Sequence, residues 1–240
     1  MRIYAASAIG KGHTDHGIPC QDAFYFNRRN ELVAAAVCDG AGSAPSSDIG
    51  AKECATTVCN WLLEQLDGKT LECDQAFFEQ CLITARNRLE SCAAELSLPV
   101  RDVACTLVGA VLNAQGGYLF HIGDGLAVVE LTDDTTIPSL PENGEYSNET
   151  YFVTGSDWQS HLRVTPFSGT VRSLVLMSDG AMSFAAKDDK LFAPFINPIK
   201  AFLTTVPEDQ GSVALHDTLA DERTWKITTD DKTLLVALHD

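Results

Sequence analysis

The chain has 240 residues, 45% of them apolar and 21% charged, which suits an ordinary globular protein with a substantial core. Its formal charge of −16 leaves no basic stripe to meet a nucleic-acid backbone, so nucleic acid is excluded as a partner. No apolar stretch approaches membrane-spanning length and the opening MRIYAASAIGKGH lacks a signal-peptide core, so no membrane partner and a cytoplasmic location are expected.

In chain order, residues 2–9 (RIYAASAI), 22–27 and 31–38 (ELVAAAVC) read as strands separated by short polar loops. Ser46, Ser47 and Asp48 supply capping chemistry for a helix over about 48–66, with Ile49, Cys54, Val58, Trp61 and Leu62 on its apolar side. A second helix is predicted over about 73–96, where Phe77, Phe78, Cys81, Leu82, Ala85 and Leu89 recur at helical spacing. Strands return at about 103–113, 117–122 and 126–131 as a meander with tight glycine turns. The polar, turn-rich segment 132–150 reads as a loop or small flap. Further strands are predicted at 151–154 and 171–177, a short helix after Gly180, helical stretches at 193–204 and 211–222, and a last strand at 233–239. Strand runs, a helix pair and more strands, with no linker or repeat, point to one α+β domain over residues 1–240.

The eight cysteines (20, 38, 54, 59, 73, 81, 92 and 105) all fall in the first half, and none forms a C-x-x-C pair. Buried free thiols in a reducing cytosol explain them better than disulfides or zinc.

Three apolar runs end in Asp-Gly, at Asp39-Gly40, Asp124-Gly125 and Asp179-Gly180, and the pair Asp230-Asp231 precedes the last strand. One Asp-Gly is a turn signal. Several at strand ends can converge, and converging carboxylates repel unless a cation sits among them. This predicts an oxygen-lined site for hard divalent ions. The segment after Asp39, Gly-Ala-Gly-Ser, either brings backbone close to an ion or phosphate or is simply a small-residue turn into a helix; both readings stand. Asp124 reads rather as a turn residue than as a metal neighbour. Asp231 serves equally as support for the ligands or as a surface turn. His121, inside YLFHIGD, reads as a core histidine, and Trp158 and Trp225 as packing residues.

The series Gln21-Asp22, Asp39-Gly40-Ala41-Gly42, Asp102 to Thr106, Gly123-Asp124-Gly125, Ser178-Asp179-Gly180 and Asp230-Asp231-Lys232-Thr233 resembles the metal-dependent PPM/PP2C-type protein phosphatases, which show these motifs in this order. The likeness spans about residues 7–239. Gly-x-x-His-x-x-x-Gly-x-Pro-x-Gln-Asp-Ala near 10–23 and the segment 145–150 point to a compact bacterial branch.

The resemblance implies a β-sandwich of two mostly antiparallel sheets flanked by pairs of helices, a four-layer αββα fold. It implies Mg²⁺ or Mn²⁺, two ions with a third in some relatives. Asp39 would bridge the two ions with the Gly40 carbonyl on the second. Asp179 and Asp230 would complete the first ion's ligands, Asp22 with Gln21 would orient bound waters, and Asp102 would hold a third, weaker ion. Water activated between two ions would then hydrolyse phosphoserine and phosphothreonine in a protein substrate. By analogy the enzyme is a monomer that counters a cognate Ser/Thr kinase.

Two departures favour an alternative, a pseudophosphatase or phosphoprotein-binding module with little turnover, and the retained Asp39, Asp179 and Asp230 argue against it. No Arg stands between Arg2 and Arg28, where relatives grip phosphate, so Lys11 or His16 would have to substitute, and the flap is short. Ala41 stands where eukaryotic members carry a candidate acid His, which would leave leaving-group protonation to a metal-bound water.

Overall fold

A computed structural model describes residues 1–142, 150–188 and 190–239. The first half runs β1 (Arg2–Ala8), α1 (Lys11–His16), β2 (Ala23–Arg29), β3 (Leu32–Cys38), α2 (Ser47–Leu66), α3 (Gln75–Glu95), β4 (Leu107–Asn113) and β5 (Gly116–Ile122). The second half runs β6 (Leu126–Leu131), β7 (Thr136–Ser139), α4 (Trp158–His161), β8 (Arg163–Ser168), β9 (Val171–Met177) and α5 (Asp179–Ala185). A short hairpin of β10 (Ala186–Lys187) and β11 (Lys190–Leu191) follows, then α6 (Ala193–Leu203), α7 (Glu208–Ala220) and β12 (Lys232–Leu238).

Two five-stranded sheets, ordered β1-β12-β9-β6-β7 and β2-β3-β4-β5-β8, form the two inner layers. Every strand pairing among the described residues is antiparallel. The period of two along each strand sorts side chains between layers. Val33, Ala35 and Val37 of β3 enter the core between the sheets, together with Leu174, Leu176, Leu235 and Ala237 of the other sheet. Ala34, Ala36 and Cys38 turn the other way and pack under α2 and α3. Tyr4, Val175, Leu234 and Val236 likewise pack outward against α5, α6 and α7. The predicted αββα sandwich is therefore the observed one, and β3 is apolar throughout because both of its faces are covered.

Four expectations need correction. Residues 151–154 form no strand; Val153 is buried in a turn, and its N–H donates to the Cys105 carbonyl at 2.9 Å. The strand that closes this sheet is β8, whose Pro166 is tolerated because β8 is an edge strand paired only with β5. Residues 11–16 are a helix rather than a loop, ended by Gly17 at φ +65°. The strand expected from 103 starts at Leu107, after a 3₁₀ turn at Val100–Val103. The segment 132–150 contains β7, paired to β6; its residues 143–149, and with them most of the 145–150 likeness, lie outside the described residues.

Trp158 is buried with the Arg86 guanidinium 5.5 Å over its ring, a packing role as expected. All eight cysteines are free. No helix among the described residues is long and apolar enough to cross a membrane.

Candidate metal centre

Strand register delivers acidic residues to one end of the sandwich. Ala23 pairs with Cys38, so Asp22 and Asp39 leave their strands side by side. Met177 pairs with both Leu126 and Leu234, which sets the turn at Gly123–Gly125 and the approach to β12 beside Ser178-Asp179. Both sheets thus contribute carboxylates to the same edge. Carboxylate oxygens of Asp39, Asp124 and Asp179 lie within 4.8 Å of one another.

Each of these residues is held by its own small network. The Asp39 N–H donates to Thr106 Oγ1 at 3.0 Å, and the Thr106 N–H returns to the Asp39 carbonyl at 2.8 Å. Gly40 is required sterically, since a Cβ there would stand 2.7 Å from both the Gln21 carbonyl and Ser47 Oγ. Ser178 Oγ donates to Asp22 Oδ2 at 2.6 Å and accepts the Thr233 N–H at 2.9 Å, tying β2, α5 and β12 together. Thr150 Oγ1 donates to Asp124 Oδ2 at 2.7 Å, and Gly123 takes φ +108° to make that turn. Asp230 Oδ1 accepts the Asp231 N–H at 3.0 Å.

Asp231 is buried and organises the loop in front of β2. It accepts the Gly10 and Gln21 N–H groups, each at 2.6 Å, and its Oδ2 lies 2.8 Å from His13 Nδ1. It is no surface turn. Lys232 is also fully buried, and its Nζ has no hydrogen-bond partner among the described residues; burial lowers its pKa against the opposing charges of Asp231, Cys20, Asp230 and Asp22.

Burial and mutual repulsion disfavour the charged form of these carboxylates. Burial, then the charges of Asp22, Asp179 and Asp230, push Asp39 well above the usual carboxylate range. Burial likewise raises Asp22 to about 7, against the Ser178 hydrogen bond and with the help of Asp231 and Asp179. Asp179 rises to about 6, again through burial first, and Asp230 also rises through burial. Asp22 Oδ1, Asp124 Oδ1 and Asp179 Oδ1 are buried without a hydrogen-bond partner among the described residues. Orphaned, all-oxygen donors among repelling charges are what a hard divalent cation would satisfy, so the residues present fit Mg²⁺ or Mn²⁺.

Of the sequence-predicted residues, Asp22, Asp39, Gly40, Asp179 and Asp230 meet at this edge. Asp124 joins them at the centre rather than serving only as a turn. Asp102 lies on the Val100–Val103 turn, 3.8 Å from Arg101 Nε, and is not in the trio. Arg28 is remote: it sits at the far end of β2 and pairs with Glu208. Arg163, which sequence reasoning passed over, donates to the Gly123 carbonyl at 3.3 Å and to the Leu140 carbonyl. His121 is buried with Nδ1 3.0 Å from Ser139 Oγ and Nε2 unpartnered among the described residues, and it is not in the trio.

The chain matches the family described as Protein phosphatase 2C over residues 9–220. It is 30% identical over 247 aligned positions to Serine/threonine-protein phosphatase 3 of Escherichia coli strain K12, spanning 99% of this chain and 98% of that one. Among solved structures it resembles a bacterial serine phosphatase at a TM-score of 0.64, with 14% identity over 100% of this chain and 98% of the other. It also resembles the catalytic domain of the serine/threonine phosphatase PstP in complex with two manganese ions (TM-score 0.62, 17% identity, 99% and 97% covered). A third likeness is to Stp1 from Staphylococcus aureus (TM-score 0.60, 16% identity, 100% and 96% covered).

Proposed function

The chain belongs to the protein phosphatase 2C family, and we propose that it is a metal-dependent phosphatase that hydrolyses phosphoserine and phosphothreonine in protein substrates. The observation that carries this reading is the meeting of Asp39, Asp124 and Asp179 within 4.8 Å, with Asp124 Oδ1, Asp179 Oδ1 and the neighbouring Asp22 Oδ1 buried without a partner among the described residues. Asp39, Asp124, Asp179 and Asp230, with the Gly40 carbonyl, would hold two divalent ions, and Asp102 is kept for a third, weaker one. Such ions supply Lewis-acid charge that lowers the pKa of water and offsets the charge of the phosphoryl oxygens.

The chain's own residues set the geometry for that chemistry. Ser178 fixes Asp22 so that its free Oδ1 is available to orient water beside Asp39. Thr106 clamps Asp39 from both sides of its peptide. Asp231 holds His13 and the Gly10 and Gln21 amides, pinning the segment before β2 to the Asp230–Asp231 turn. Lys232 and His13 act electrostatically on the acidic residues of this edge, and Arg163 reaches the Gly123 carbonyl beside Asp124 while paired with Glu142.

The whole chain is read as one domain that acts as a monomer, counters a Ser/Thr kinase, and works in a reducing cytoplasm that suits eight free thiols. Mn²⁺-dependent hydrolysis of an aryl phosphate and of a phosphothreonine peptide, compared for wild type, Asp39→Asn and Asp179→Asn, tests the proposal. Both substitutions should lower kcat/KM by about 100-fold or more, the size of loss expected for a main electrostatic contributor. Unchanged activity in both variants sinks the site assignment, and a metal-binding wild type without turnover sinks the enzyme reading.

A further inference from the structure

Directly beneath the carboxylates lies a second convergence that phosphate chemistry does not use. Cys38 ends β3, Cys54 sits on α2 and Cys105 precedes β4. One sulfur from each lies within 4.8 Å of the other two, and all three residues are fully buried. Other buried thiols of this layer behave differently. Cys59 donates to the Tyr25 carbonyl at 3.5 Å and Cys81 to the Val58 carbonyl at 3.9 Å, whereas the trio turns its sulfurs on itself.

We propose that Cys38, Cys54 and Cys105 form a three-sulfur site for a thiophilic ion of the Cu(I) type. Softness selects the ion, because clustered thiolates favour Cu(I) over the hard cations that suit the carboxylates above. Coordination number narrows it further. A structural zinc site closes with four ligands, and among the described residues no fourth Cys, His, Asp or Glu joins this group. Distance also agrees. With metal–sulfur bonds of about 2.3 Å, a planar three-sulfur site spaces its sulfurs about 4 Å apart. That spacing falls inside the observed limit of 4.8 Å, so only small side-chain adjustments are required. Each coordinating sulfur gives its S–H proton to solvent as the S–Cu bond forms. Copper enters and stays as Cu(I), so no oxidant or reductant takes part.

The placement gives this site a line to the acidic one. Cys38 is joined by a peptide bond to Asp39, and Cys105 bridges to Gly40 and is followed by Thr106, the residue that clamps Asp39. A soft-metal site would thus lie one residue below a hard-metal site.

The test titrates fully reduced protein with Cu(I) against a chromophoric Cu(I) chelator, without oxygen. Cu(I) is supplied both to folded protein and during refolding, so that slow entry into the core does not decide the outcome. Wild type and Cys59→Ala, a buried cysteine outside the trio, should each take one equivalent from the chelator. Cys54→Ala should bind at least about tenfold more weakly, and Cys38→Ser replaces it as the comparison if Cys54→Ala does not fold. X-ray absorption of the loaded wild type should count three sulfur neighbours. One equivalent retained in the trio variant, or none taken by wild type by either route, overturns the proposal. Neither result bears on phosphatase activity.

Discussion

A Cβ on Gly180 would stand 1.9 Å from the Asp231 carbonyl oxygen, so the glycine in Ser178-Asp179-Gly180 is there for space rather than for turn geometry. Its absent side chain lets the start of α5 press against the loop that carries Asp230 and Asp231. The same holds at Gly40, which touches the Gln21 carbonyl and Ser47. Gly180→Ala should therefore force the Asp230–Asp231 loop outward and cost about 1–3 kcal/mol, as overpacking does. Urea unfolding measures that loss, and Mn²⁺ affinity should fall with it because Asp179 and Asp230 separate. A variant with unchanged unfolding midpoint and metal affinity would show that this close approach relaxes freely. The repeated Asp-Gly was visible in the sequence, but its meaning was split. Asp124 read as a turn because nothing in a one-dimensional pattern tells which strand ends share an edge. The pairing of both Leu126 and Leu234 with Met177 decides it.

At the scale of elements, legibility followed periodicity. β3 is a continuous apolar run, β9 and β12 end in the runs LVLM and LLVAL, and α2 and α3 show helical stripes, so their existence and bounds were readable to within a few residues. α1 was not, because six residues with no buried side chain leave no stripe to detect. β8 was missed because Pro166 argues against a strand unless its edge position is known. His121 links elements of different sheets, since its Nδ1 meets Ser139 at the end of β7. Burial, then the charge of Arg163, holds its pKa well below the ordinary 6.5. The unfolded chain therefore binds a proton that the folded protein refuses, so this one group's contribution to stability falls as pH drops below about 6.5, by up to about 1.4 kcal/mol per pH unit, against the opposite slope of the raised carboxylates. His121→Asn, which has no such proton to gain, should remove that opposing contribution, so that metal-free stability measured by denaturant unfolding gains more on acidification below pH 6.5 than it does in wild type. An unchanged slope in the variant would show that His121 contributes nothing to the pH dependence.

For the molecule as a whole, the acidic edge works against the sandwich that builds it. Three apolar layers of packing hold the fold, and although hydrogen bonds to Asp22, Asp124 and Asp231 fix the loops of this edge, Asp22, Asp39 and Asp179 are raised in pKa and thus destabilise when ionised. The sign follows from proton counts. Between the ordinary 3.8 and about 7 the folded protein keeps protons on Asp22 and its neighbours that the unfolded chain has released, so metal-free stability falls as pH rises through that window. A divalent cation reverses the penalty by binding only the folded, deprotonated site, worth about 2.7 kcal/mol at a hundredfold excess over Kd. The melting-temperature gain from Mn²⁺ should thus grow from pH 5 to pH 8. Asp39→Asn makes the argument sharper, because it removes a buried carboxyl whose ionisation its neighbours oppose and offers an amide N–H₂ to neighbouring oxygens. In chelator near neutral pH it should melt above wild type, by about 2–4 °C for each kcal/mol of repulsion relieved in a chain of this size. In Mn²⁺ the order should invert, since the variant has lost a ligand. A variant that melts below wild type in chelator would mean that Asp39 stabilises the metal-free fold, and that the repulsion inferred at this edge is already relieved by Lys232 and solvent.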